Sequence, residues 1–221
     1  NLNGKITFEV YRLSTQHVQV IEALQVKVCD ALEDATILQP LSTEELLTIL
    51  GGNGLMIGAF VGPRLIAFRA LFEPDPMEDE HLGIDAGAVD LSRVLYQEIS
   101  NVDPDFRGHG LQKILGELVM KEVDTLRFDL VCATVKPFNI ASLKDKFGQG
   151  MQVVALKLKY GGKLRYVFAK SLHAEAVYQE DSIILAMADV ETQQSVIKQG
   201  FVGVSMHLEA DVWQVVYKKL K

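Results

Sequence analysis

Residues 99–115 read ISNVDPDFRGHGLQKIL, and the junction they describe decides the fold. A β-like run, Ile99 to Val102, breaks at Asp103-Pro104, and the glycine-bearing turn Arg107-Gly108-His109-Gly110 follows. Beyond it Leu111, Ile114, Leu115, Leu118 and Val119 recur at helical spacing, so a strand gives way to a helix at Gly110. The first amides of a helix lack an intrahelical partner, and its dipole favours negative charge there. Glycines let the backbone approach a ligand closely, successive amides form an anion-binding concavity, and Arg107 adds a charged fork suited to phosphate. A plain tight turn is the competing reading.

The rest of the chain narrows the choice. With 221 residues it holds one good-sized domain, or one domain with a small appendage. A content of 48% hydrophobic and 23% charged residues argues against disorder. The net charge of −7 argues against a general nucleic-acid or anionic-membrane partner, and favours one that is small, cationic or locally bound. Cys29 and Cys132 form no CxxC pair, which points to a reducing compartment. No signal-peptide pattern opens the chain and no apolar run nears the roughly 18 residues of a membrane span. A cytoplasmic location is therefore expected. His17, His81, His109, His173 and His207 show no ligand spacing with each other or with cysteine, so no metal site is expected.

Residues 5–13 have strand composition, and Ser14 or Thr15 is placed to cap a helix running to about Leu32. Ser42 or Thr43 followed by Glu45 signals a second helix, stopped by Gly51-Gly52-Asn53-Gly54. Two apolar runs flank Gly62-Pro63 and read as a hairpin. Between Glu73 and Asp90 stand seven acids (positions 73, 75, 78, 79, 80, 85 and 90) with no Lys or Arg, a loop long enough to be functional. Strands are expected at 93–102 and 130–135, a helix at 139–147 and two more strands before residue 172.

The tail then repeats this last unit. Asn139 to Gly150 spans eleven positions, as does Asp189 to Gly200, and each glycine precedes a large apolar residue, Met151 or Phe201, and a strand. Coincidence between two strand–helix–strand units and a partial internal duplication both remain open.

The stretch VDPDFRGHGLQKIL resembles the acetyl-CoA-binding motif of the GNAT acyltransferases, Arg/Gln-x-x-Gly-x-Gly/Ala. VKPFNIASLKDKFGQGM resembles that superfamily's later segment, in which Asn opens a helix and Gly-Phe follows eleven residues on. The resemblance implies an α/β fold with a mixed, mostly antiparallel central sheet flanked by helices. Residues 1–172 would form the acetyltransferase domain, and residues 173–221 a small C-terminal βαββ extension resembling a second half-unit. It implies acetyl-CoA as co-substrate, with Asn101 and Val102 offering backbone groups to the pantetheine arm. Arg107, Gly108, His109, Gly110, Leu111 and Gln112 would hold the pyrophosphate. Asn139 and Ser142 would lie near the pantetheine or the thioester, although Asn139 equally reads as a helix N-cap. Three positions depart from the pattern: Gln112 replaces Gly/Ala, Met151 replaces Phe, and Lys146 stands where many relatives carry a tyrosine general acid.

Acetyl transfer to an amine requires the neutral amine, so a carboxylate near the acceptor is needed to take a proton. Glu98, alternating with Tyr96 and Ser100 on one strand face, is the candidate base; a solvated or salt-bridged glutamate is the competing reading. Tyr96 is a candidate proton donor to the thiolate, against a core tyrosine. Cys132 lies in an apolar strand without a neighbouring histidine and reads as buried and inert. The acidic loop suggests a cationic amine acceptor, against a merely solvated loop. The expected activity is N-acetyl transfer to a primary amine; the alternative is a non-catalytic acyl-CoA-binding module whose tail mediates regulation or a homodimer. A nucleotide-binding protein is disfavoured, since no GxxxxGK[ST] is present.

Overall fold

The capping box read at Ser42 is formed in the computed structural model, which describes residues 6–32 and 38–221. The Ser42 hydroxyl accepts from the Glu45 amide at 3.2 Å, and the Glu45 carboxylate accepts from the Ser42 amide at 2.7 Å. Donors that a first turn leaves open are thereby satisfied, and the helix starts there. Along the chain the elements are β1 (Glu9–Arg12), α1 (Val18–Asp30), α2 (Thr43–Leu50), β2 (Gly54–Val61), β3 (Arg64–Phe72), α3 (Leu82–Asp85), β4 (Val94–Val102), α4 (Leu111–Lys121) and β5 (Leu130–Val135). They continue with α5 (Ile140–Gly148), β6 (Gln152–Lys159), β7 (Lys163–Ser171), β8 (Tyr178–Ala186), α6 (Val190–Lys198), β9 (Phe201–Glu209) and β10 (Val212–Leu220). The chain forms two compact units, residues 1–73 with 97–123 and residues 74–96 with 124–221, so β4 contributes to both.

In the first unit the strands follow the order β1-β2-β3-β4. The β2–β3 hairpin turns at Gly62-Pro63, with Val61 opposite Arg64, as the sequence suggested. The strand expected over 5–13 is shorter: Glu9–Arg12 pair with Phe60–Ile57, and Lys5 lies outside the described residues. Leu13 still bonds Met56 O, but Ser14 then accepts from the next turn and diverts the chain into a helical turn at Thr15–His17. The core joins α1, α2 and the sheet through Ile21, Leu24, Leu46, Ile49, Met56, Phe68 and Ile99. Each such side chain contributes about 1.5–3 kcal/mol on burial. Gln25, also buried, bonds both the carbonyl (3.0 Å) and the amide (2.8 Å) of Leu41, so its polarity costs little.

The second unit begins where Val94–Tyr96 of β4 pair in parallel with Leu130–Cys132 of β5. Beyond β5 the order is β7-β6-β9-β10-β8, all antiparallel. The sheet is thus mixed and mostly antiparallel, as the resemblance implied. The tail has the expected elements, β8-α6-β9-β10, and they lie within this second unit. One turn of helix, α3, interrupts the acidic loop; at four residues it is too short for periodicity to reveal. Among the described residues no helix is long and apolar enough to cross a membrane.

The tail covers the strands before it. Tyr166 of β7 is fully buried and donates to Gln193 Oε1 of α6 at 2.6 Å, while Gln194 Nε2 donates to Leu156 O of β6 at 2.8 Å. Truncation after Leu172 is expected to expose Tyr166 and its neighbours and to yield aggregated protein on size exclusion. A soluble, monodisperse 1–172 fragment that retains ligand binding would show the tail to be dispensable.

Candidate functional site

At the β4–α4 junction the chain is held by charge. The Asp103 amide bonds Ile66 O at 2.8 Å, and the Asp103 side chain accepts from the Asp105 amide at 3.0 Å, which starts the turn Pro104–Phe106. Its carboxylate, 2% exposed, is gripped by Lys27 Nζ at 2.7 Å and Arg64 Nη2 at 2.6 Å. Both cations also reach the exposed Asp105, and the Arg64 guanidinium sits 5.0 Å from the centre of the Phe106 ring. Burial pushes the Asp103 carboxyl up, but the bonds from Lys27, the Asp105 amide and Arg64 outweigh it and hold it below the usual range.

Beyond this clamp the backbone enters the left-handed region twice, at Gly108 (φ 83°) and Gly110 (φ 72°). A Cβ added at either would meet no atom within 4 Å, so both backbones face open space. Gly110 is the N-cap of α4 and, as a glycine, supplies no side-chain cap to the helix's first amides. Arg107 is exposed, His109 and Gln112 are half-buried, and Leu111 anchors the turn in the interior at 2% exposure. Behind the turn, buried Arg69 donates to Gln112 O at 3.1 Å and to Gln97 Oε1 at 2.6 Å, fixing the first turn of α4 to β3 and β4. Left-handed glycines at a helix N-terminus beside an exposed arginine are an arrangement that suits an anion.

Residues of β4 alternate across the sheet. Ile99 joins the core and Asn101 is 1% exposed, with neither its amide nitrogen nor its oxygen bonded to another described residue. An unsatisfied buried amide costs about 1–3 kcal/mol. Glu98 faces the other way and is exposed, while Val102 is half-buried.

Tyr96 and the acidic loop belong to the second unit. Buried Tyr96 donates its hydroxyl proton to Glu78 Oε1 at 2.5 Å and accepts from the Leu82 amide at 2.7 Å. Burial, then the bond to Glu78, push its phenol far above the usual value. His81 is fully buried 5.3 Å from the Tyr96 ring, its Nδ1 accepts from the Gly83 amide, and burial lowers its pKa. Asp85 binds Lys157 at 2.7 Å and the buried Lys159 at 2.9 Å, and Glu80 accepts from the Tyr160 amide at 3.0 Å. Farther on, Asn139 caps α5 by accepting from the Ser142 amide at 3.3 Å, and buried Lys146 pairs with Asp145 at 3.2 Å. Cys132 is fully buried and its thiol is pushed up to about 12, chiefly by burial. Burial thus favours the neutral thiol, the less nucleophilic form.

No protein-family model and no curated protein matches the sequence. Solved structures do. An N-acetyltransferase from Staphylococcus aureus Mu50 superposes with a TM-score of 0.57 at 14% identity, covering 76% of this chain and 99% of its own. A putative acetyltransferase from Salmonella typhimurium, solved with its cofactor acetyl-CoA, gives 0.56 at 13% identity over 80% of this chain and 100% of its own. An acetyltransferase of the GNAT family from Streptococcus pneumoniae gives 0.54 at 13% identity, over 75% and 100%. The fold is the GNAT fold.

Within that fold the first unit brings together Glu98, Asn101, Val102 and the loop Arg107–Gln112, all on or directly after β4. Tyr96, Asn139 and Ser142 belong to the second unit. Sequence reading missed Lys27 and Arg64, because nothing local marks a cation 39 or more residues away as the partner of Asp103. It also missed Glu78, which appeared only as one acid in a run.

The lowered pKa of Asp103 sets the sign of a pH effect. A carboxyl whose folded value lies below its unfolded value of about 3.9 stabilises the fold above that pH, and the stabilisation fades as pH falls through the folded value. Asp103→Asn is expected to cost about 1–3 kcal/mol at pH 7, and the deficit against wild type should shrink below about pH 4. Urea unfolding at pH 7, 5 and 3.5 checks this; a deficit constant with pH would show that the charge of Asp103 is immaterial.

Proposed function

We propose that the protein is an acetyl-CoA-dependent N-acetyltransferase that acetylates a primary amine, and that the acceptor is cationic. The observation that carries this reading is the β4–α4 turn: two left-handed glycines open to solvent before an uncapped helix, beside an exposed arginine. Acetyl-CoA supplies an acetyl group activated as a thioester. The amides of the loop 107–112 hold its diphosphate, Arg107 adds charge, and the Asp103 clamp keeps the loop in place when anionic groups approach. Asn101 and Val102, at the end of β4, run beside the pantetheine arm, and the half-buried Gln112 narrows the entrance.

Glu98 is the base in this reading. It is exposed on β4, and a carboxylate needs contact with the incoming ammonium, or with one water, to take its proton. Tyr96 is a poor proton donor, since its hydroxyl is committed to Glu78 and its phenol is strongly raised. A thiolate leaves without an acid, so positioning supplies most of the acceleration. Support for a cationic acceptor comes from the excess of 29 acids over 22 bases rather than from the acidic loop alone. In that loop Asp75, Glu78, Glu80, Asp85 and Asp90 serve turns, Tyr96, Tyr160 or the lysines of β6.

A second reading, a non-catalytic acyl-CoA-binding module, is favoured by Lys146, which pairs with Asp145 at the position where the superfamily it resembles often carries a tyrosine acid. Release of free CoA across a panel of amines separates the two: turnover with any amine favours the enzyme, and binding without turnover favours the module.

Acetyl-CoA is expected to raise the melting temperature, by about 2.7 kcal/mol of added stability at 100 times its dissociation constant. Gly110→Val should abolish the shift, because the side chain strains a left-handed backbone and projects in front of the amides. No shift for wild type at millimolar acetyl-CoA would remove the cofactor assignment.

Glu98→Gln is expected to lower kcat by a factor on the order of 10² to 10⁴ while acetyl-CoA affinity stays nearly constant. Unchanged turnover would move the base elsewhere.

A further inference from the structure

The spacing repeat in the last ninety residues extends to details that coincidence does not supply. Asn139 and Asp189 cap α5 and α6 with φ,ψ of −75°,75° and −83°,75°, and accept from the Ser142 and Thr192 amides, each three residues on. Both helices have nine residues and end on a glutamine, Gln149 or Gln199, before a left-handed glycine, Gly150 or Gly200. In the β6–β7 pair Val153 faces Phe168 and Ala155 faces Val167, so Val154 is bulged. In the β9–β10 pair Gly203 faces Tyr217 and Ser205 faces Val216, so Val204 is bulged, fifty positions on. The outer pairings keep register too: Ala133 faces Phe168, and Ile183 faces Tyr217. Tyr160 and Gly161 turn the first hairpin in the left-handed region, as Ala210 and Asp211 turn the second. Bulges re-aim a strand and are features of a fold rather than accidents, so a bulge at matching positions is a strong mark of common construction.

The strand order gives the relation between the copies. It runs β5-β7-β6 and then β9-β10-β8, a palindrome in which each strand of one copy mirrors its counterpart in the other. At its centre β6 and β9 are antiparallel, and the residues that face each other are Val153 and Gly203, which are themselves counterparts. Only a twofold axis sets a residue opposite its own equivalent, the isologous geometry by which two identical subunits pair. Contacts cross the axis from both sides: α6 bonds β6 and β7 through Gln194 and Gln193, while Lys144 of α5 lies 5.3 Å from the centre of the Trp213 ring on β10.

We propose that Tyr178–Leu220 is a built-in second copy of the Leu130–Ser171 half-unit, seated on the surface where a partner subunit would pair, so that the chain closes this surface itself and is monomeric through it. Gly203 makes the seat selective. A Cβ there would lie 2.9 Å from the Val153 Cβ and 3.3 Å from the Val215 side chain, so β6 takes a glycine opposite Val153 more closely than it takes the Val153 of another chain. The copy lacks any equivalent of β4 and its glycine turn, so it acts as a partner surface and not as a second ligand site.

The test uses the full chain. Wild-type protein is expected to sediment as the 24.5 kDa monomer with its β6 amides protected from hydrogen exchange. The exchange across the axis is the second arm. Gly203→Val alone should lower the melting temperature, and Val153→Gly/Gly203→Val should recover at least half of that loss, because the pair is read from both sides of a dyad. A double variant as unstable as the sum of its single variants would overturn the twofold relation, whether or not the single variant folds well. Wild-type protein that sediments as a dimer with its β6 amides protected only in the dimer would overturn closure.

Discussion

The Asp103 carboxylate, pinned between Lys27 and Arg64, is the interaction on which the first unit's β4–α4 turn depends. An anion-binding turn must hold several amides pointing the same way, and that arrangement is unfavourable until the anion arrives. Glycines permit the conformation but do not enforce it. Enforcement comes from behind: Asp103 is fixed to α1 and β3 by two cations, and Arg69 ties the next turn to β3 and β4. Both anchors are side chains of the unit's own elements, Lys27 of α1 and Arg64 and Arg69 of β3.

Local order was legible in the sequence, and for a common reason. The Ser42–Glu45 box, the Gly62-Pro63 turn and the Arg107–Gly110 turn each bring together residues no more than four apart, so composition and spacing are enough. What could not be read is what distance in sequence hides. Lys27 meets Asp105 across 78 positions and Lys157 meets Asp85 across 72. A run of acids looks like a field until the lysines that neutralise part of it are placed beside it. Matched spacing in the sequence left a repeat and a coincidence both open, and the matched bulges at Val154 and Val204 exist only in the pairing of strands.

Burial explains why some chemically suggestive residues are silent. Cys132 and His81 are both fully enclosed, and enclosure favours the neutral form of each, so the thiol resists ionisation and the imidazole resists protonation. Tyr96 reaches the same end by a different route, since its hydroxyl is spent on holding Glu78 and Leu82. Tyr96 and His81 hold the loop that precedes β4. Glu98 and Arg107, by contrast, are exposed.

A palindromic strand order also has two unlike ends. The outer strand of one half, β5, is flanked by β4, whereas its mirror image, β8, closes the strand order with Ile184 half exposed. Such an edge is a template on which further strands can add, the β8 of a second copy among them. The same strand carries exposed Glu180 and Asp181 side by side. Two carboxylates on an open edge repel a second copy of that edge, so the acidity of this strand keeps the chains apart.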